Sequence, residues 1–125
     1  MRINKRNALQ FWKENYGNAM YAKDFHGNLM YRDGYGNNAF YVMGWCGKIY
    51  CGWNIHHILP RRFGGTNAKT NLICTNIYTN QMAEDKITYW IDDTLYQVQR
   101  VSGKQEHEIV VLRKENEHEK WLLGF

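Results

Sequence analysis

The segment Trp53–Gly65, WNIHHILPRRFGG, constrains the chain more than any other stretch. Trp53 to Leu59 has the texture of a buried strand, yet two adjacent histidines interrupt it. Pro60 removes a backbone donor and so ends the strand. Gly64-Gly65 opens a loop over residues 64–71 rich in Gly, Thr, Asn and Lys, and Leu72–Cys74 reads as a second short strand. A helix over Asn76–Lys86 follows, with Thr75 or Asn76 as its N-cap and Ile77, Asn80 and Glu84 on one face. The order is strand, loop, strand, helix, with a histidine pair on the first strand and polar residues on the helix.

The flanks frame this unit. Residues 4–16 carry a helical pattern: Leu9, Trp12 and Tyr16 recur at i, i+3 and i+7, with Ala8 and Phe11 alongside and Gly17 as the stop. Residues 18–52 read as irregular hairpins, with turns at Asp24–Asn28 and Arg32–Gly34 and a tight connection at Cys46–Cys51. The tail returns to strands at Ile87–Ile91, Leu95–Val101 and Ile109–Leu112, separated by turns at Asp92-Asp93 and Ser102–Lys104. These elements predict a single α+β domain over residues 1–125, with an N-terminal helix and small antiparallel hairpins around the central unit.

Composition narrows the function class. With 44% hydrophobic and 22% charged residues the chain is globular. No apolar run approaches a membrane span, and the opening MRINKR lacks the apolar stretch of a signal peptide, so the expectation is a cytoplasmic protein with no membrane partner. A net charge of +4 is compatible with a polyanionic partner. Three cysteines, Cys46, Cys51 and Cys74, are an odd number and argue against a disulfide framework. Buried or free thiols are the simpler reading; the alternative is a structural zinc site on these three, completed by a histidine.

Alone, His56-His57 would be an edge strand with one packed and one solvated ring. The spacing changes that reading: Asn71 lies 14 residues after His57, and Asn80 a further 9. The stretch IHHILPRRFGGTNAKTNLICTNIYTN resembles the HNH endonuclease family in residue types and spacing, and the weaker flanking likeness extends over about residues 22–100. The resemblance implies a ββα-metal unit. It makes His57 the general base, His56 and Asn80 metal ligands, Asn71 the residue that shapes the loop behind the base, and Glu84 a further ligand candidate. It also implies phosphate contacts from Arg61 and Arg62, with Lys69 and Lys86 as weaker candidates.

The chemistry calls for these residue types. Phosphodiester hydrolysis needs an activated water, charge neutralisation at phosphate and help for the leaving oxygen; one divalent metal supplies the last two. A neutral imidazole suits the first, because its ordinary pKa of about 6.5 lies near working pH. A mixed nitrogen and oxygen ligand set admits Mg²⁺, the favoured ion, and also Mn²⁺, Zn²⁺ or Ni²⁺. Neighbours on a strand point to opposite faces, so a local twist or a bulge near Pro60 is expected to bring both histidines to one site. Ala83 stands where related HNH sequences carry a lysine. The favoured expectation is therefore a metal-dependent DNA endonuclease or nickase, phage or mobile-element associated. The alternative is an HNH-like protein that binds without cutting, such as a phage anti-CRISPR inhibitor of a bacterial defence nuclease. That alternative leans on Ala83, on the absence of a DNA-reading module and on the acidic tail at Glu106, Glu108, Glu115, Glu117 and Glu119.

Overall fold

A computed structural model describes residues 1–115. The first element is helix α1, Lys5–Tyr16. Asn4 caps it by accepting the Asn7 N–H at 2.9 Å, and Gly17, at φ 63, ends it by donating to the Lys13 carbonyl. The helix buries Ala8, Phe11 and Trp12. Two hairpins follow: β1 (Tyr21–Lys23) with β2 (Leu29–Tyr31), and β3 (Tyr41–Gly44) with β4 (Gly47–Tyr50). The stretch expected to be a connection, Cys46–Cys51, is mostly strand. The turn is only Trp45-Cys46, pinched between paired Gly44 and Gly47, so the chain has already reversed before most of the expected connection begins.

The central pair is β5 (Trp53–His57) with β6 (Leu72–Asn76), antiparallel from Trp53↔Asn76 to His57↔Leu72 with no slip in register. Helix α2, Ile77–Ala83, starts directly from β6 with Asn76 as its cap. A three-stranded sheet closes the described chain: β7 (Thr88–Ile91), β8 (Thr94–Arg100) and β9 (His107–Lys114), all antiparallel. The α+β class, the two helices and the small antiparallel sheets agree with the sequence reading. No helix among the described residues is long and apolar enough to cross a membrane.

Two apolar clusters hold the elements. Ala8, Phe11, Trp12, Met30, Trp53, Ile55, Leu72 and Cys74 form the first, so α1 packs on one face of the β5–β6 pair, with the Trp12 and Trp53 rings 4.9 Å apart. Ala83, Tyr89, Ile91 and Tyr96 form the second, joining α2 to the C-terminal sheet. Helix α2 lies between the two, and this explains two departures from expectation. It stops at Ala83 rather than reaching Lys86, because Ala83 is fully buried and β7 must double back against it; Glu84 makes the reversal at φ 50. Position 83 therefore faces the core. A lysine there would bury its ammonium among Tyr89, Ile91 and Tyr96.

Buried polar side chains do the stitching between hairpins. Asn76 accepts the Tyr78 N–H at 2.9 Å and donates to the carbonyls of Leu29 at 2.9 Å and Tyr50 at 3.1 Å, tying β2, β4 and the start of α2 together. Asp24, in the β1–β2 turn, accepts from the His26 and Asn28 N–H groups with one oxygen and from the Asn76 N–H with the other. Asn28 donates to Thr79 Oγ1 at 2.8 Å. The Asp24–Asn28 turn is thus a brace for α2.

Candidate functional site

A cleft of about 270 Å³ opens at the end of β5, lined by His56, His57, Arg61, Arg62, Asn80 and Glu84 among others. Strand alternation sends the two histidines apart, as expected. His56 shares a face with Asn54 and meets α2: its Nδ1 stands 2.6 Å from Asn80 Oδ1. The Asn80 amide in turn donates to Asn54 Oδ1 at 2.8 Å, which aims the Asn80 oxygen at the imidazole. His57 turns to the loop, with Nε2 2.7 Å from Asn67 Oδ1. The bulge expected near Pro60 is not there: His57 is the last residue of β5, and the cleft wraps around the strand end, so both residues line it from a regular strand.

Asn71 supplies the loop geometry. It is buried, accepts the Leu59 N–H at 2.9 Å and donates to the carbonyls of Leu59 at 3.1 Å and Thr66 at 2.9 Å, while its own carbonyl accepts from Ile58 at 2.8 Å. The glycine pair is needed for two different reasons. Gly64 sits at φ 95, a left-handed conformation that side chains disfavour. Gly65 lies so close to the Leu59 carbonyl that a Cβ would collide with backbone.

The electrostatics separate the two rings. His56 is 4% exposed, and burial pushes its pKa below the ordinary 6.5; nearby His57 adds to this, while the Asn80 bond opposes it. A neutral imidazole is the form a metal ligand requires. Two donors bound side by side to one ion at about 2.1 Å stand about 3.0 Å apart. His56 Nδ1 and Asn80 Oδ1 stand 2.6 Å apart as a hydrogen-bonded pair in which Nδ1 donates, so a divalent ion held by both would replace that proton and move the two atoms apart. No group of three His, Cys, Asp or Glu side chains comes together among the described residues.

The other sequence candidates divide. Arg61 and Arg62 lie on a 3₁₀ turn, Arg61–Phe63, at the cleft rim; the Arg62 guanidinium is 3.4 Å from Asp85 and 4.8 Å from the Phe63 ring centre. Glu84 lines the cleft but has left the helix face of Asn80, and its carboxylate is 3.7 Å from Lys86 Nζ. Lys69 points elsewhere, bonding both Glu14 carboxylate oxygens on α1 at 2.8 and 3.0 Å. Cys46 is exposed in the β3–β4 turn, whereas Cys51 and Cys74 are buried, and all three are free. Burial pushes the Cys74 thiol up to about 12, which makes it inert. Glu117 and Glu119 of the acidic tail lie outside the described residues.

Sequence reasoning missed Asn54 and Asn67. Asn54 carried a signal, since i and i+2 on a strand share a face and it stands two before His56. Asn67 carried none, because only the loop's closure brings it to His57. Compared with known protein families, curated proteins and solved structures, the chain matches none.

Proposed function

We propose that the chain is a metal-dependent HNH-type endonuclease or nickase of DNA, built on a ββα-metal unit formed by β5, β6 and α2. The observation that carries this reading is the meeting of His56 and Asn80 at 2.6 Å in the same cleft that His57, Arg61 and Arg62 line. A divalent ion on His56 and Asn80, Mg²⁺ by preference, would neutralise charge on the phosphate and the departing oxygen. His57 takes a proton from water as its oxygen bonds to phosphorus. The bond from phosphorus to the 3′ oxygen breaks, and that oxygen takes a proton from solvent. The products carry 5′-phosphate and 3′-hydroxyl ends. The Arg61 and Arg62 guanidiniums hold phosphate by charge and paired N–H donors, with no base reading, so low sequence specificity follows. Ala83 is buried in the core, so no cation reaches the cleft from that position, and Arg61 and Arg62 are left to supply positive charge at its rim.

A second reading has its own observation. Met43 and Trp45, 77% and 94% exposed, crown the β3–β4 hairpin, and such an apolar projection suits a protein partner. In that case the chain would act by docking, as an inhibitor of a bacterial defence nuclease does.

Supercoiled plasmid separates the two. With Mg²⁺, Mn²⁺ or Zn²⁺ the protein is expected to nick it, and His57→Ala to lower the rate by about 100-fold or more. No cutting with any of the three ions, or equal cutting by wild type and variant, overturns the nuclease reading.

A further inference from the structure

The loop between Gly65 and Asn71 does more than close the cleft. Asn71 fixes Leu59 and Thr66 from one amide, and Gly65 packs flush against the Leu59 carbonyl, so the backbone on the N-terminal side of Asn67 is clamped. On its C-terminal side the Ala68 N–H donates to Thr66 Oγ1 at 3.3 Å, and the Asn71 N–H donates to the Ala68 carbonyl at 2.8 Å. Asn67 is therefore presented at one place, with its side-chain oxygen 2.7 Å from His57 Nε2. An amide oxygen only accepts, so in this contact Nε2 must carry the ring proton. The proton of a neutral imidazole resides on one nitrogen; with Nε2 engaged, Nδ1 keeps the lone pair.

We propose that Asn67 is a positioning residue that selects the Nε2–H tautomer of His57 and so leaves Nδ1 as the basic atom of the cleft. The proposal rests on the nuclease reading only for its catalytic consequence; the tautomer itself is a property of the free protein. Asn67 acts through the His57 ring, which its side-chain oxygen contacts. The clamped loop explains why an asparagine held 10 residues after His57 can do this: the bond is long-range in sequence and local in space.

The test uses ¹⁵N-histidine labelling of the full chain at mildly alkaline pH, with the His57 signals assigned by their loss in His57→Gln. Wild type is expected to show the Nε2–H pattern. Asn67→Ala should mix the two tautomers, whereas Asn67→Asp, which keeps an acceptor oxygen, should retain the Nε2–H form. In plasmid nicking, Asn67→Ala should lower kcat by about 10- to 100-fold with KM little changed, and Asn67→Asp should recover most of that loss. An Nδ1–H pattern in wild type, or an unchanged pattern in Asn67→Ala, overturns the proposal. If wild type shows Nε2–H and Asn67→Ala loses it while neither protein cuts DNA, the tautomer assignment stands and the nuclease reading fails, so the two failures are distinct.

Discussion

The β5–β6 pair and the β3–β4 hairpin are both two-stranded antiparallel ribbons, and they use their side chains in opposite ways. The first is covered on one face by α1 and on the other by α2; its residues from Trp53 to Asn76 supply much of the core, and its polar side chains are bonded across long separations. The second leaves Tyr41, Met43, Trp45 and Ile49 exposed and pairs mainly with itself. An isolated two-stranded ribbon has little stability of its own, so a ribbon lacking a cover depends on what braces its base. For β3–β4 that brace includes the Tyr50 carbonyl held by Asn76. The comparison teaches what a cover does for side-chain chemistry: the ribbon that helices cover holds His56 at 2.6 Å from Asn80, whereas the uncovered hairpin leaves its large side chains to solvent.

Substitutions sharpen this contrast. The largest effect is expected at the loop clamp. Asn71→Ala removes three side-chain hydrogen bonds and should destabilise the fold by about 3 kcal/mol, at about 1 kcal/mol per bond, read as a lower midpoint in denaturant at constant slope. Should Asn71→Ala unfold no more easily than a hairpin variant, the distinction between the two ribbons collapses.

A smaller effect concerns pH. The folded state holds His56 below the ordinary imidazole pKa of 6.5, mainly through burial. Below that value the unfolded chain binds the proton while the folded chain resists it, so stability falls as pH drops from 6.5 toward the lowered folded pKa and is fully present above 6.5. A thermal melting series across that window should show the loss, and His56→Gln should flatten it. A series for His56→Gln as steep as that of wild type would assign the pH dependence to other groups. Smallest of all, Met43→Ser and Trp45→Ser in the exposed turn should change stability by no more than about 0.5 kcal/mol, because they remove no buried contact. A larger loss would mean that the hairpin packs against something in solution.

Much of the scaffold was legible from local chemistry. Asn4 and Gly17 bracket α1 where the sequence suggests, the β5–β6–α2 order follows the apolar runs, and Asn76 is the cap. Errors arose where a distant contact outranked local preference. Glu84 has good helical company, yet α2 ends before it because the C-terminal sheet claims Ala83. Lys69 reads as one more cation beside Arg61 and Arg62, but the loop carries it to Glu14 on α1. Cys46 and Cys51 look like a turn and instead bracket a strand, since pairing with β3 takes Gly47–Tyr50.

The sequence by itself determined the strand, loop, strand and helix order, the glycines the loop requires, and the placing of His56 and His57 on opposite faces of one strand, because these follow from φ/ψ limits and the two-residue repeat of a strand. Tertiary structure alone decided the partners: Asn80 for His56, Asn67 for His57 and the core for Ala83. Those choices depend on how α2 is packed and how the 64–71 loop is closed. Both are set by contacts between residues far apart in the chain, which no local pattern encodes.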